Sequence, residues 1–300
     1  MTDTLEEHEG TVSIGGRPIS NLRFADDIDA IAGNENELRD LVEKLDTAAS
    51  NYGMEISAEK TKIMHNDSAG ITNEIKVKGQ PLSTVNSFKY LGATISDDGS
   101  KPEVLSRIAQ ATAALARLKT IWNNKKIKLA SKIRLLRSLV ISVFLYACET
   151  WTLTADLERR IAAMEMRCYR RLLGISYLQH ITNVEIRRRI TQEIGTHEDL
   201  LTTVKKRKLR WYGHVTRSSG LSKTILQGTV QGGRKMGRPK KRWACNIKDW
   251  TGLSFAESQK ATRNRQGWRH VVTTSMVMPQ QPRIGVRRSL RIKSQSLVTG

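Results

Sequence analysis

Apolar positions along this chain change their period near residue 100, and that change divides it into two kinds of structure. In the first hundred residues the apolar runs are short. Leu22-Arg23-Phe24 and Ile28-Asp29-Ala30-Ile31-Ala32 flank Ala25-Asp26-Asp27, a pattern that predicts two short strands joined by a tight acidic turn, because Asp tolerates turn geometry. Leu38, Leu41, Val42, Leu45, Ala49 and Tyr52 then recur at helical spacing, and Gly53 supplies a stop. Short strands are expected at Met54 to Ile56, Thr61 to Met64, Ile75 to Lys78 and Phe88 to Ser96, punctuated by Lys78-Gly79-Gln80-Pro81 and Asp97-Asp98-Gly99-Ser100. Residues 20–98 therefore read as an α+β unit.

From Glu103 onward the period is helical. Ile108, Ala111, Leu115, Leu118 and Trp122 form one stripe, and Ile133, Leu136, Val140, Val143 and Phe144 a second. Leu157, Ile161, Met164, Cys168 and Leu172 form a third, closed by Gly174. Further helices are expected over Thr182 to Ile194 and His197 to Val215. Ser254-Phe255-Ala256-Glu257 has capping-box spacing and opens a last helix toward Trp268. After Val272 periodicity ends, and a disordered basic tail is expected.

Charge follows the same division. Residues 1–100 hold 9 Lys+Arg and 18 Asp+Glu, a net of −9, whereas residues 101–300 hold 41 and 11, a net of +30. So strong a positive field repels itself unless a polyanion neutralises it, which points to nucleic acid or an anionic membrane. The longest apolar run, Leu139 to Cys148, is too short to span a bilayer. The amino terminus has neither a basic n-region nor an apolar h-region, so a nuclear or cytoplasmic protein is expected, not a secreted one. Three widely separated cysteines, Cys148, Cys168 and Cys245, fit a reducing compartment and lack the paired spacing of a zinc site.

Cations are interleaved with aromatics at Arg210-Trp211-Tyr212, Arg242-Trp243 and Trp268-Arg269, a pattern that can hold phosphates while a ring stacks on an unpaired base. The other reading of Trp211 and Trp268 is a small core with the cations snorkelling outward. The candidate phosphate-binding residues are Lys205, Lys206, Arg207, Lys208 and Arg210, with Arg234, Lys235, Arg238, Lys240, Lys241 and Arg242 in a second string. Gly237-Arg238-Pro239 among those cations suits an A·T-rich minor groove, and the same string suits a nuclear import signal or a flexible basic loop. The Asp26-Asp27 pair has the hard oxygen donors that Mg²⁺ prefers; an ordinary solvated turn is the alternative.

The order Phe24-Ala25-Asp26-Asp27, then Tyr52-Gly53-Met54-Glu55-Ile56-Ser57-Ala58-Glu59-Lys60-Thr61-Lys62, then Phe88-Lys89-Tyr90-Leu91-Gly92-Ala93-Thr94-Ile95 resembles the last third of the reverse transcriptase palm of non-LTR (LINE-type) retrotransposons. Tyr146-Ala147-Cys148-Glu149-Thr150-Trp151, Met166-Arg167-Cys168-Tyr169-Arg170-Arg171-Leu172-Leu173-Gly174-Ile175, Leu209-Arg210-Trp211-Tyr212-Gly213-His214-Val215 and Gly237-Arg238-Pro239-Lys240-Lys241-Arg242-Trp243 resemble the region after the polymerase in such elements. The resemblance covers about residues 14–272.

It implies a truncated palm (hairpin, helix and short strands) over 1–100, a helical thumb-like region over 101–178, a basic nucleic-acid-binding region over 179–272, and a tail over 273–300. Asp26 would ligate Mg²⁺ with Asp27 in support, Lys60 would approach the triphosphate, and Tyr90, Leu91 and Gly92 would form the primer grip. The partners implied are an RNA template and a DNA primer or target DNA, with no membrane. Two-metal nucleotidyl transfer needs a third carboxylate on an earlier strand, and only 25 residues precede Asp26. Among them Asp3, Glu6, Glu7 and Glu9 lie in no recognisable strand. The resemblance thus implies a fragment of an RNA-directed DNA polymerase, inactive alone; the alternatives are a stand-alone basic RNA/DNA-binding protein and a decayed product that folds poorly.

Overall fold

The computed structural model describes residues 10–65, 75–228 and 240–276. The architecture is α+β and mostly helical, and its strands pair two by two. Ser13–Ile14 pairs with Arg17–Pro18, Asn21–Phe24 with Asp27–Ala30, Lys76–Val77 with Gln80–Pro81, and Ser87–Tyr90 with Ala93–Ser96, all antiparallel. Lys62–Ile63 and Ser83–Thr84 pair in parallel. The first helix, Glu35–Asn51, starts where the Asn34 side chain accepts a hydrogen bond from the Glu37 amide. It packs on two small cores: Val42 with Ile63, Ile75, Val77 and Leu82, and Leu41 with Leu45 beneath Ile28 and Ala30.

The expected strand at Met54 to Ile56 does not form. Gly53, at φ +68°, turns the chain out of the helix, and the Met54 and Gly53 amides donate to the Ala49 and Ser50 carbonyls. This Schellman arrangement uses the Met54 amide that a strand would need.

Beyond residue 100 a single continuous core runs from Val104 to Val272, so the segments 101–178 and 179–272 share one interior. Its framework is the helices Lys101–Arg117, Leu129–Leu136, Ala155–Leu173, Asn183–Ile194 and Leu200–Arg217. The predicted stripes face inward: Leu157, Ile161, Met164, Cys168 and Leu172 are all buried, and the third helix ends at Gly174, in the left-handed conformation. The capping box forms in full, with Ser254 and Glu257 each satisfying the other's backbone amide. The helix it opens does not reach Trp268, however. Asn264 interrupts it, its side chain capping a new helix, Arg265–Thr274, through the Gln266 and Gly267 amides. The helices Leu221–Gln227 and Trp243–Thr251 were not anticipated. No described helix is long and apolar enough to cross a membrane.

Candidate functional site

The acidic hairpin is a two-residue turn between paired strands, with Phe24 opposite Asp27 and Leu22 opposite Asp29. Ala25 sits at φ +55°, the left-handed geometry that lets a two-residue turn match the strand twist. Asp26 and Asp27 are exposed at the tip. Strand alternation places Asp27 and Asp29 on one face, and Ile28 and Ala30 on the other, against Leu41 and Leu45. Burial pushes the Asp29 carboxyl above its ordinary value, and the Asp27 charge adds to this, while hydrogen bonding from Tyr90 opposes it.

Tyr90 belongs to the second hairpin, where Leu91 at φ +44° and Gly92 at φ +80° make the turn between Tyr90 and Ala93. Helical groups clamp this turn in place. The Tyr146 hydroxyl donates to the Leu91 carbonyl at 2.7 Å, and the Arg107 guanidinium donates to the Gly92 carbonyl. Glu103 accepts from the Thr94 amide at 2.7 Å and from Arg107 at 2.6 Å. Arg107 also stacks over the Tyr146 ring, 4.5 Å from its centre. Glu103 and Arg107 are buried, so each charge depends on the other. Between this hairpin and the Tyr146–Trp151 segment lies a cleft of 510 Å³. Lys60 is exposed in a turn whose amide is held by Ser57, whereas the Lys62 ammonium reaches the Ser83 hydroxyl at 3.2 Å.

Residues 3–95, which contain the acidic hairpin and all but the last residue of the second, match the reverse transcriptase (RNA-dependent DNA polymerase) family. An uncharacterized transposon-derived protein of Caenorhabditis elegans, F52C9.6, is 31% identical over 278 residues, covering 86% of this chain and 97% of that protein. The chain belongs with this transposon-derived protein, and its first third belongs to the reverse transcriptase family. No solved structure matches it. In this family member, the structure brings the acidic hairpin and the Tyr-Leu-Gly hairpin together through Tyr90 and Asp29, although about sixty residues separate them in sequence. Sequence reading missed Asp29, Glu103, Arg107 and Tyr146; the i,i+4 spacing of Glu103 and Arg107 and the position of Asp29 two residues past Asp27 were the available signals.

The basic half of the chain differs from the expectation at several cations. Lys208 is fully buried, donating to the Trp151 carbonyl at 2.7 Å and to Asn246 Oδ1 at 2.9 Å beneath the Trp243 ring. Burial, with the nearby Lys241 charge, lowers its pKa to about 6. Lys205 is likewise buried and paired with Glu158 at 3.1 Å. Neither faces a polyanion, because both side chains turn into the helical core. Lys206 pairs with Glu198, Arg207 lies 3.8 Å from Glu149, Lys241 is 2.9 Å from Asp249, and Lys240 donates to the Asp97 carbonyl. Arg210 and Arg242 are exposed, with no side-chain partner among the described residues. Arg234, Lys235 and Arg238 lie outside the described residues.

The aromatics sort the same way. Trp268 is buried and donates to the Leu209 carbonyl at 2.9 Å, while Trp211 meets Trp243 edge to face. Burial pushes the Cys148 and Cys168 thiols up to about 12, as suits core residues. Asp26 and Asp27 offer oxygen donors of the kind that suits Mg²⁺, but among the described residues no group of three or more potential ligands forms.

Proposed function

We propose that the chain corresponds to the closing part of a non-LTR, LINE-type reverse transcriptase: the end of the palm over 1–100, a helical thumb-like region over 101–178, and a basic nucleic-acid-binding region over 179–272. The observation that carries this reading is the pair of tight hairpins, Asn21–Phe24 with Asp27–Ala30 and Ser87–Tyr90 with Ala93–Ser96, that carry the acidic turn and the Tyr-Leu-Gly turn in and beside the residues that match the reverse transcriptase family. In that arrangement Asp26 and Asp27 would hold Mg²⁺, and the Tyr90-Leu91-Gly92 turn would position a primer strand. Bound there, Mg²⁺ would activate the primer 3′ hydroxyl and stabilise the departing pyrophosphate. Lys60, exposed on its turn, is free to swing toward a triphosphate. Among the described residues Asp26 and Asp27 fall short of a full ligand set, so the reading expects no polymerisation from this chain by itself.

Primer extension on an RNA template with Mg²⁺ tests this reading. No extension is expected from the chain alone, and extension is expected when a segment carrying the third carboxylate is supplied, with loss in Asp26→Asn. Extension that persists in Asp26→Asn would sink the assignment of the site. A second reading, nucleic-acid binding without catalysis, draws on the exposed Arg210 and Arg242, and predicts template and primer binding that Asp26→Asn leaves unchanged.

A further inference from the structure

Near its carboxy-terminal end the helix Ala155–Leu173 carries Arg167 and, one turn on, Arg170 and Arg171. They border an open cleft of 730 Å³ between that helix and the helix Lys101–Arg117, and no acidic residue lines it. Arg170 is committed: it donates to the Ile181 carbonyl at 2.9 Å and to Asn183 Oδ1 at 2.8 Å, which fixes the loop that forms the far wall. Arg167 and Arg171 make no ion pair or side-chain hydrogen bond among the described residues, although every acidic side chain near this helix's other arginines is engaged. Leu115, Ile175 and Ile181 supply apolar lining, with Thr112, Ser176 and His180 beside them. Two arginines with no carboxylate partner among the described residues, beside Leu115, Ile175 and Ile181 in a space far larger than a phosphate needs, suit a ligand with an anionic end and a flat weakly polar body.

We propose that this cleft seats one unpaired nucleotide of a single-stranded nucleic acid, its phosphate between Arg167 and Arg171 and its base against Leu115, Ile175 and Ile181. A duplex suits the cleft poorly, because its bases stay stacked inside and its phosphates lie on a convex surface. The inference rests on the nucleic-acid reading above and adds the strand form and the residues that would recognise it.

Fluorescence anisotropy with the full chain tests it, using a labelled oligothymidylate and a duplex of equal length. Arg167→Ala with Arg171→Ala is expected to weaken single-strand binding by about tenfold or more, and duplex binding by less than about threefold. Ala116→Trp, which fills the cleft and keeps its charge, is expected to weaken single-strand binding alone. Displacement by thymidine monophosphate as well as by oligothymidylate would assign the seat to the nucleotide unit; displacement by the oligonucleotide only would assign it to a strand. Photo-crosslinking of the unaltered chain with a bromouracil oligonucleotide needs no variant to fold, and should mark the segment 175–181. Crosslinks elsewhere, equal displacement by an acidic peptide, or unchanged single-strand affinity in both variants would overturn the proposal while leaving nucleic-acid binding intact. A chain that binds neither probe would remove the underlying reading as well.

Discussion

Glu103 and Lys208 show how a charge is held in this interior, and they behave oppositely. Glu103 is matched by Arg107 at 2.6 Å, and it accepts from the Thr94 amide besides. Glu103→Ala leaves the Arg107 guanidinium buried without its carboxylate, and should cost about 3 kcal/mol in urea unfolding, with release of the Tyr-Leu-Gly hairpin. Lys208 has carbonyl acceptors and indole faces but no carboxylate, and its pKa falls to about 6 from the ordinary 10.5. Between those two values the unfolded chain binds a proton at this site that the folded chain does not, so stability rises with pH. Urea unfolding at pH 6 and pH 9 should show this rise in the native protein and a smaller one in Lys208→Met; equal slopes would contradict the buried, deprotonated lysine. Neither role was legible from residue type, since Lys205-Lys206-Arg207-Lys208 reads as a uniform basic run and only the helix phase separates its inward from its outward members.

At the scale of elements, close approach decides what the helical period leaves open. A side-chain carbon on Gly213 would stand 2.3 Å from Trp268 Nε1, so the helices Leu200–Arg217 and Arg265–Thr274 meet where only glycine fits. Gly213→Ala should displace the Trp268 indole and break its hydrogen bond to Leu209, costing about 3 kcal/mol and shifting tryptophan emission to longer wavelength. Gly92 is held differently, by φ +80° and by the Tyr146 ring, so Gly92→Ala should cost about 1 to 2 kcal/mol through backbone strain. Differential scanning calorimetry separates the two by the size of the shift. The stripe at Leu157 to Leu172 and the cap at Ser254 were readable in the sequence because each depends on residues within a few turns. The break at Asn264 was not, since Asn can cap or be carried within a helix, and packing of Trp268 settles which.

For the whole molecule, the charge imbalance survives folding. The eleven acidic residues beyond position 100 are largely engaged inside that half, as in Asp156 with Arg159 and Arg160, or Glu185 with Arg188 and Arg189. Most of its 41 cations therefore have no carboxylate to meet. Filter retention of nucleic acid at rising salt should give a steep linear fall of log affinity with log salt, and a flat response would remove the basic half as a binding surface.

Periodicity determined the acidic hairpin and the switch to helices near residue 100, and composition the polarity of charge, because these rest on local pattern; the order of motifs carried the resemblance to a reverse transcriptase. The tertiary structure alone decided that Asp29 meets Tyr90, that Glu103 and Arg107 clamp the second hairpin, and that Lys205 and Lys208 turn inward. The reason is physical: a side chain's charge is written in the sequence, whereas the dielectric around it and the partner it meets are set by elements far away along the chain.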